Sequence, residues 1–310
     1  GGAGPGGAPS GRLQGVEQEG EKTMGKIVIV GSGPAGCSAA LYAARAGQEV
    51  VVISMGMGAL SKAELIQNYY GFEEGITGAE LYRQGVAGAK AVGAEFITAE
   101  VVGLDYAATL VVQTTEGDYP ADAVILATGT GRIAPKIAGL AEHEGRGVSY
   151  CATCDAFFYR GKTAAVLGSG EYALHEVQAL LPLAGKVILC TNGEPLTADF
   201  PEGVEICTEK LAAVEGEEKV SALRLENGEL LPVEGLFVAL GVAGSAALAR
   251  KLGAPVENGR IVVDERMQTG IPGLYAAGDC TGGLLQVCKA VYEGALAATE
   301  AIKMLRGKKR

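Results

Sequence analysis

A glycine-rich turn between a β-branched apolar run and a small-residue helix occurs twice in this chain, and that repetition constrains the fold more than any other feature. Lys26-Ile-Val-Ile-Val30 reads as a buried parallel strand running into Gly31-Ser-Gly-Pro-Ala-Gly36. An alanine-rich helix is expected from about Cys37 to Ala46, and a second strand at Glu49–Ile53. The pattern returns at Thr163–Leu167, with Gly168-Ser-Gly-Glu-Tyr-Ala173 as the turn and Lys186–Cys190 as the next strand. Each is a βαβ unit carrying a dinucleotide fingerprint. The fold class expected is α/β, with two Rossmann-like nucleotide-binding domains of three-layer ββα build, the second inserted in the first.

The intervening sequence fits that plan. Glu95 to Thr128 alternates as antiparallel strands and closes on Ala123-Val-Ile-Leu-Ala-Thr-Gly129. Asn227-Gly228 signals a hairpin, and Gly235-Leu-Phe-Val-Ala-Leu-Gly241 ends the second unit. Ile271-Pro-Gly-Leu-Tyr-Ala-Ala-Gly-Asp279 is a strand closing on Gly-Asp, and a long helix from about Leu284 finishes the chain. Residues 24–130 and 244–310 are expected to form the first domain and 131–243 the insert. Residues 1–23, rich in Gly, Pro, Ala and Glu without a secretory apolar segment, read as a disordered leader.

Composition narrows the partners. The 48 glycines of 310 residues show no collagen period and fall at strand ends and turns. A net charge of −10 without a basic stripe argues against nucleic acid. No apolar run is long enough to span a bilayer, and a cytoplasmic location is expected.

Within the first turn, Gly31 permits the tight bend, Gly33 the approach of a pyrophosphate, and Gly36 close helix–strand packing. Ser32, Pro34 and Ala35 complete the turn. The acid expected about 20 residues on is missing, so Ser54 or nearby backbone serves the ribose.

Seven cysteines lie scattered along the chain, and only Cys151-Ala-Thr-Cys154 brings two close. An odd, dispersed set argues against a structural disulfide framework. Two thiols three positions apart at a helix start can close a small ring, and the helix N-terminus lowers a thiol's pKa. A closed zinc site needs four ligands, and only His143 is near, so the ligand count favours redox chemistry over zinc or inert core thiols. Asp155 is either a proton donor and acceptor for the exchange or a first-turn carboxylate answering the helix dipole.

Gly31–Gly36, Tyr150-Cys-Ala-Thr-Cys-Asp-Ala-Phe-Phe-Tyr-Arg-Gly161 and Ile271–Asp279 together resemble the low-molecular-weight thioredoxin reductases, from Met24 to about Leu305. The resemblance implies FAD in the outer domain, NADH or NADPH in the insert at Gly168 and Gly170, a homodimer, and domain rotation during turnover. It further implies that Asn68, Gly129, Gly278, Asp279 and Gln286 contact the flavin cofactor. Cys154 would face the flavin, and Cys151 would attack the disulfide of a thioredoxin-like protein.

The chain departs from that pattern where a 2′-phosphate would be gripped. The family's basic positions read Thr191-Asn192-Gly193 and Thr197, and from Val187 to Glu209 there are five acids and no Lys or Arg. A 2′-phosphate needs charge-assisted partners, so NADPH affinity is expected to be poor. Bulky Tyr172 stands where the family has a small residue. The turn could still take NADH, with Glu194 on the ribose. Ile66–Phe72, Gly75–Leu81 and Gly278–Gly282 are similar to a clostridial branch that takes electrons from ferredoxin. A flavin-dependent dithiol oxidase and a non-enzymatic flavin- or zinc-binding module are the alternatives. Cys37, Cys190 and Cys207 read as buried hydrophobes, Cys280 and Cys288 as lying near the flavin end, and His175 as a surface helix residue.

Overall fold

The computed structural model describes residues 25–129, 136–241 and 243–307. The expected leader, residues 24 and 130 at the first domain's expected boundaries, and the last three basic residues lie outside them.

Two five-stranded parallel sheets organise the chain. The first takes β1 (Lys26–Val30), β2 (Glu49–Ser54), β3 (Glu95–Thr98), β7 (Ala123–Leu126) and β18 (Leu274–Ala276), in the order β18-β7-β1-β2-β3. Between its strands lies an antiparallel meander of β4 (Val101–Tyr106), β5 (Leu110–Thr114) and β6 (Gly117–Ala121). The second sheet takes β8 (Val148–Ser149), β9 (Thr163–Leu167), β10 (Lys186–Cys190), β11 (Glu205–Cys207) and β15 (Gly235–Val238), in the order β11-β10-β9-β15-β8. Its meander is β12 (Leu211–Glu215), β13 (Ala222–Leu225) and β14 (Leu230–Pro232), the last two joined at Asn227-Gly228 as the sequence indicates. A short pair, β16 (Val256–Glu257) and β17 (Arg260–Ile261), stands apart.

The central strands of both sheets are covered on both faces, which is why β1, β2, β7, β9, β10 and β15 read as apolar runs, whereas the edge strands β3 and β11 are only partly buried. In β1, Val28 and Val30 pack toward Leu104, Leu110 and Val112 of the meander. Ile27 and Ile29 pack toward the alanines of the helical layer. Full burial of each such side chain contributes about 1.5–3 kcal/mol. The helical layer is α1 (Pro34–Arg45), α2 (Gly78–Ala91) and α6 (Val287–Gly307). The second unit carries α3 (Ala152–Asp155) and α4 (Glu171–Leu180), and α5 (Ser245–Lys251) follows it.

Three local expectations change. Helix α1 begins at Pro34 rather than Cys37, because proline at the first helical position loses no needed N–H and has a preset φ. Within the stretch expected to be antiparallel, Ala123–Leu126 instead pairs parallel with β1 and β18, and Glu95–Thr98 does not join the antiparallel set either. It extends the parallel sheet beside β2, in register from Val51↔Glu95 to Ser54↔Thr98. The final helix starts at Val287, after a turn through Gly282 and Gly283, both at positive φ.

Candidate active site

Cys151 and Cys154 form a disulfide, their Cα atoms 5.4 Å apart. Cys151 is the N-cap of α3, and its Sγ accepts the Cys154 N–H at 3.1 Å. Cys151 is 4% exposed, whereas Cys154 is open. Asp155 accepts the Ser149 hydroxyl at 2.7 Å, and Ser149 in turn receives the Cys151 N–H at 3.1 Å. The carboxyl therefore belongs to the hydrogen-bonded turn that carries the sulfurs. Cys154 Sγ stands 3.3 Å from the carbonyl of Lys251, on α5.

The first glycine turn is tightly packed at two of its glycines and open at the third. A Cβ on Gly31 would meet the Ala127 carbonyl at 2.3 Å, and one on Gly36 would meet the Gly31 carbonyl at 1.9 Å. A Cβ on Gly33 would meet nothing within 4 Å, and Gly33 caps α1 without any side-chain hydrogen bond. The helix start beside Gly33 is therefore uncapped by any side chain and open on that side, which suits a pyrophosphate. Ser32, whose hydroxyl is 2.7 Å from that of Ser54, fastens the turn to the end of β2. Pro34 and Ala35 form the first helical turn, and a Cβ on Gly278 would lie 3.0 Å from that of Ala35.

The Gly278–Asp279 turn is itself held in place. Glu293 accepts the Gly278 N–H at 2.8 Å, and the Lys289 ammonium donates to the Gly278 carbonyl at 2.8 Å. Asn68 donates to Gln286 at 2.9 Å across 218 residues of sequence, and both side chains are open. A Cβ added to Gly129, at φ 75°, would have nothing within 4 Å. The structure thus gathers Gly31–Gly36, Ser54, Gly278 and Asp279 at one end of the first sheet, a donor set that fits a flavin dinucleotide.

The second glycine turn differs. Gly168 is required for packing, since a Cβ would meet the Ala239 carbonyl at 2.2 Å. Over Gly170, however, the loop after β10 folds back. Thr197 donates its N–H to the Ser169 carbonyl at 2.8 Å, and its hydroxyl would be 3.0 Å from a Gly170 Cβ. Tyr172 is 2% exposed and donates its hydroxyl to the Tyr150 carbonyl at 3.1 Å. Glu100, from the turn before β4, stands beside the Tyr172 N–H and Glu171 at the start of α4. Burial pushes its carboxyl above the usual range, with Glu171 adding to the shift and the Tyr172 N–H opposing it. Glu100 Oε1 is buried and has no hydrogen-bond partner among the described residues. Glu194 is exposed, and the aliphatic stem of Lys210 runs past Gly193, a cation just outside the acidic window.

The model of the pyridine nucleotide-disulphide oxidoreductase family matches residues 25–294. A thioredoxin reductase of Aquifex aeolicus is 35% identical over 308 residues, covering 92% of this chain and 94% of that protein. The chain belongs to the thioredoxin reductases of this family. Flavin and nucleotide binding are properties of the family, and the chain is a thioredoxin-disulfide reductase-type flavoenzyme. Among solved structures, the atypical thioredoxin reductase TRi from Desulfovibrio vulgaris Hildenborough is 40% identical, with a TM-score of 0.86 over 92% of this chain and 99% of that one. A ferredoxin-flavin thioredoxin reductase from Clostridium acetobutylicum is 36% identical, with a TM-score of 0.70 at the same coverage. A second structure of a ferredoxin-flavin thioredoxin reductase from that organism scores 0.59.

Several residues around this thioredoxin reductase's site carried no sequence signal. Lys289 and Glu293 pair at 3.0 Å, i to i+4 on α6, beneath the Gly278 turn. Their spacing is that of any helical ion pair, so only the fold reveals what they hold. His175 is not on a free surface. Its ring packs against Gly103 of the first meander, with Nδ1 3.2 Å from Glu176. Cys37 and Cys280 are buried, and burial pushes both thiols up to about 12. Cys190 is buried, Cys207 half-buried and Cys288 exposed. No helix among the described residues is long and apolar enough to cross a membrane.

Proposed function

We propose that this reductase carries FAD at the Gly31–Gly36 turn, uses Cys151 and Cys154 as its dithiol, and takes electrons from a ferredoxin-type protein carrier rather than from NADPH. The observation that carries the donor reading is the closed second glycine turn. Thr197 from one side and Tyr172 with Glu100 from the other occupy the surroundings in which a dinucleotide pyrophosphate would lie, and the acidic loop offers a 2′-phosphate no charge-assisted grip. NADH avoids the 2′-phosphate but meets the same closed turn. The likeness to a ferredoxin-flavin enzyme at 36% identity supports the same direction.

FAD, when bound, supplies a reservoir that accepts electrons one at a time and passes them on in pairs. Ser32, Ser54, Gly278, Asp279, Asn68 and Gln286 would hold and orient it, and Gly129 leaves room beside it. The reduced dithiol then works by thiol–disulfide exchange. The Cys151 thiolate attacks the disulfide of a thioredoxin-like protein, releasing one thiolate from that partner. Cys154 displaces the partner's second sulfur and restores the Cys151–Cys154 bond. Asp155, hydrogen-bonded through Ser149 to the same turn, is suited to take and return the proton of a departing thiol. Cys151 is enclosed in the present arrangement, so the second unit must turn for a partner to reach it. Exposed Tyr42, Leu285 and Tyr292 around the helical layer support a homodimer.

Anaerobic mixing of the holoenzyme with NADPH, NADH or reduced ferredoxin, followed by flavin absorbance, tests the donor. Fast bleaching by ferredoxin and slow or no bleaching by either nucleotide is expected; fast bleaching by micromolar NADPH overturns it. Cys154→Ser is expected to abolish thioredoxin reduction with flavin content unchanged.

A further inference from the structure

The redox turn is tied to the first unit by an ion pair closed off from water. Lys251 Nζ meets Glu176 Oε1 with side chains 2% and 0% exposed. Glu176 lies on α4 of the second unit, and its other oxygen accepts the N–H of Ala152, the residue after Cys151. One carboxylate therefore holds both the start of the Cys151–Cys154 turn and the end of α5. The Lys251 ammonium also lies over the Tyr172 ring, 5.5 Å from its centre, and its own carbonyl stands 3.3 Å from Cys154 Sγ. A disulfide sulfur has no hydrogen to donate to that carbonyl; a Cys154 thiol would have one.

The far end of α5 is fastened where the first unit binds its anion. Ser245 donates its N–H to Thr128 Oγ1 at 2.8 Å, and the Thr128 N–H donates back to Ser245 Oγ at 3.1 Å. Thr128 N is 3.0 Å from where a Gly31 Cβ would stand. Helix α5 is thus a strut of seven residues, roughly 10 Å long at 1.5 Å per residue, running from the first glycine turn to the disulfide.

We propose that Glu176 and Lys251 are positioning residues for electron transfer: their pair clamps the Cys151–Cys154 turn onto the α5 strut in the arrangement in which the disulfide is reduced from the flavin side. The proposal rests on the reading of Cys151 and Cys154 as the redox centre. A buried pair of this kind adds little net stability over apolar packing, because desolvation offsets the attraction. What it supplies is one defined arrangement, and the same clamp keeps Cys151 enclosed. Releasing it therefore has opposite effects on two steps, slowing reduction from the flavin and speeding attack by an external reductant. General loosening would not separate the two.

The test uses the full-length holoenzyme. Lys251→Met with Glu176→Gln removes both charges at once, and the glutamine carbonyl still accepts the Ala152 N–H, so folding is retained if the single Lys251→Met variant fails. Disulfide reduction by tris(2-carboxyethyl)phosphine, read by alkylation and mass, is expected to accelerate several-fold. Flavin-to-disulfide electron transfer after photoreduction, read from flavin absorbance, is expected to slow tenfold or more. Unchanged rates, or two rates that shift in the same direction, overturn the proposal. An active Cys154→Ser enzyme would instead remove the redox reading, whereas a wild-type-like double variant beside an inactive Cys154→Ser removes the positioning role alone.

Discussion

Two glycines of the first turn have opposite reasons to be glycine, and one methyl group at each separates packing from ligand binding. At Gly36 an added Cβ stands 1.9 Å from the Gly31 carbonyl oxygen and 2.9 Å from its carbon. Both are backbone atoms, so relief requires the turn to move by more than an ångström. Overpacking costs about 1–3 kcal/mol and sometimes more, and a clash with backbone belongs at the upper end, about 3 kcal/mol. At roughly 2–4 °C per kcal/mol for a large domain, Gly36→Ala should lower Tm by about 6–12 °C. At Gly33 an added Cβ has nothing within 4 Å, and φ −71°, ψ −171° is open to alanine. Losing a glycine N-cap there costs under about 1 kcal/mol, but the methyl projects into the opening at the start of α1. Gly33→Ala should fold with a Tm within a few degrees of wild type and bind FAD at least tenfold more weakly, about 1.4 kcal/mol. Thermal unfolding of the apoprotein and fluorescence titration with FAD measure the two effects separately. Wild-type FAD affinity in Gly33→Ala, or an unchanged Tm in Gly36→Ala, refutes the assignment.

Glu100 gives a pH-dependent expectation. Its carboxyl pKa is raised by burial, so the folded protein holds the proton to higher pH than the unfolded chain. The ionised form is the penalised one: the cost is absent below the unfolded carboxylate range, near pH 4, and fully present above the folded pKa. Glu100→Gln should therefore raise Tm at pH 7 and lose that advantage on acidification to about pH 4; a lower Tm at pH 7 contradicts this. On the donor side, Glu194→Arg at an exposed position supplies a cation to the acidic loop while Thr197 and Tyr172 still close the turn. NADPH should still bleach the flavin slowly in anaerobic absorbance measurements, and bleaching within seconds would show that missing charge was the sole obstacle.

What could be read along the chain is what depends on neighbours in sequence. Strand, glycine turn and helix at Gly31 and again at Gly168 are local patterns, because a buried parallel strand is apolar throughout and a phosphate turn tolerates no Cβ. Cys151 and Cys154 share one turn of helix, and Asn227-Gly228 sets its own hairpin. The assignment of Glu95–Thr98 failed because period-2 patterning does not say which strand it will pair with. Only tertiary structure decided the rest. Thr197 reaches Ser169 across 28 residues, Asn68 reaches Gln286 across 218, and Lys251 reaches Glu176 across 75. Each side chain is ordinary in its own segment, and His175 even reads as a surface residue until Gly103 packs against it. Charge and hydrogen bonding act through space, so the sequence alone identified the two sulfurs, and the packing of two units decided what surrounds and holds them.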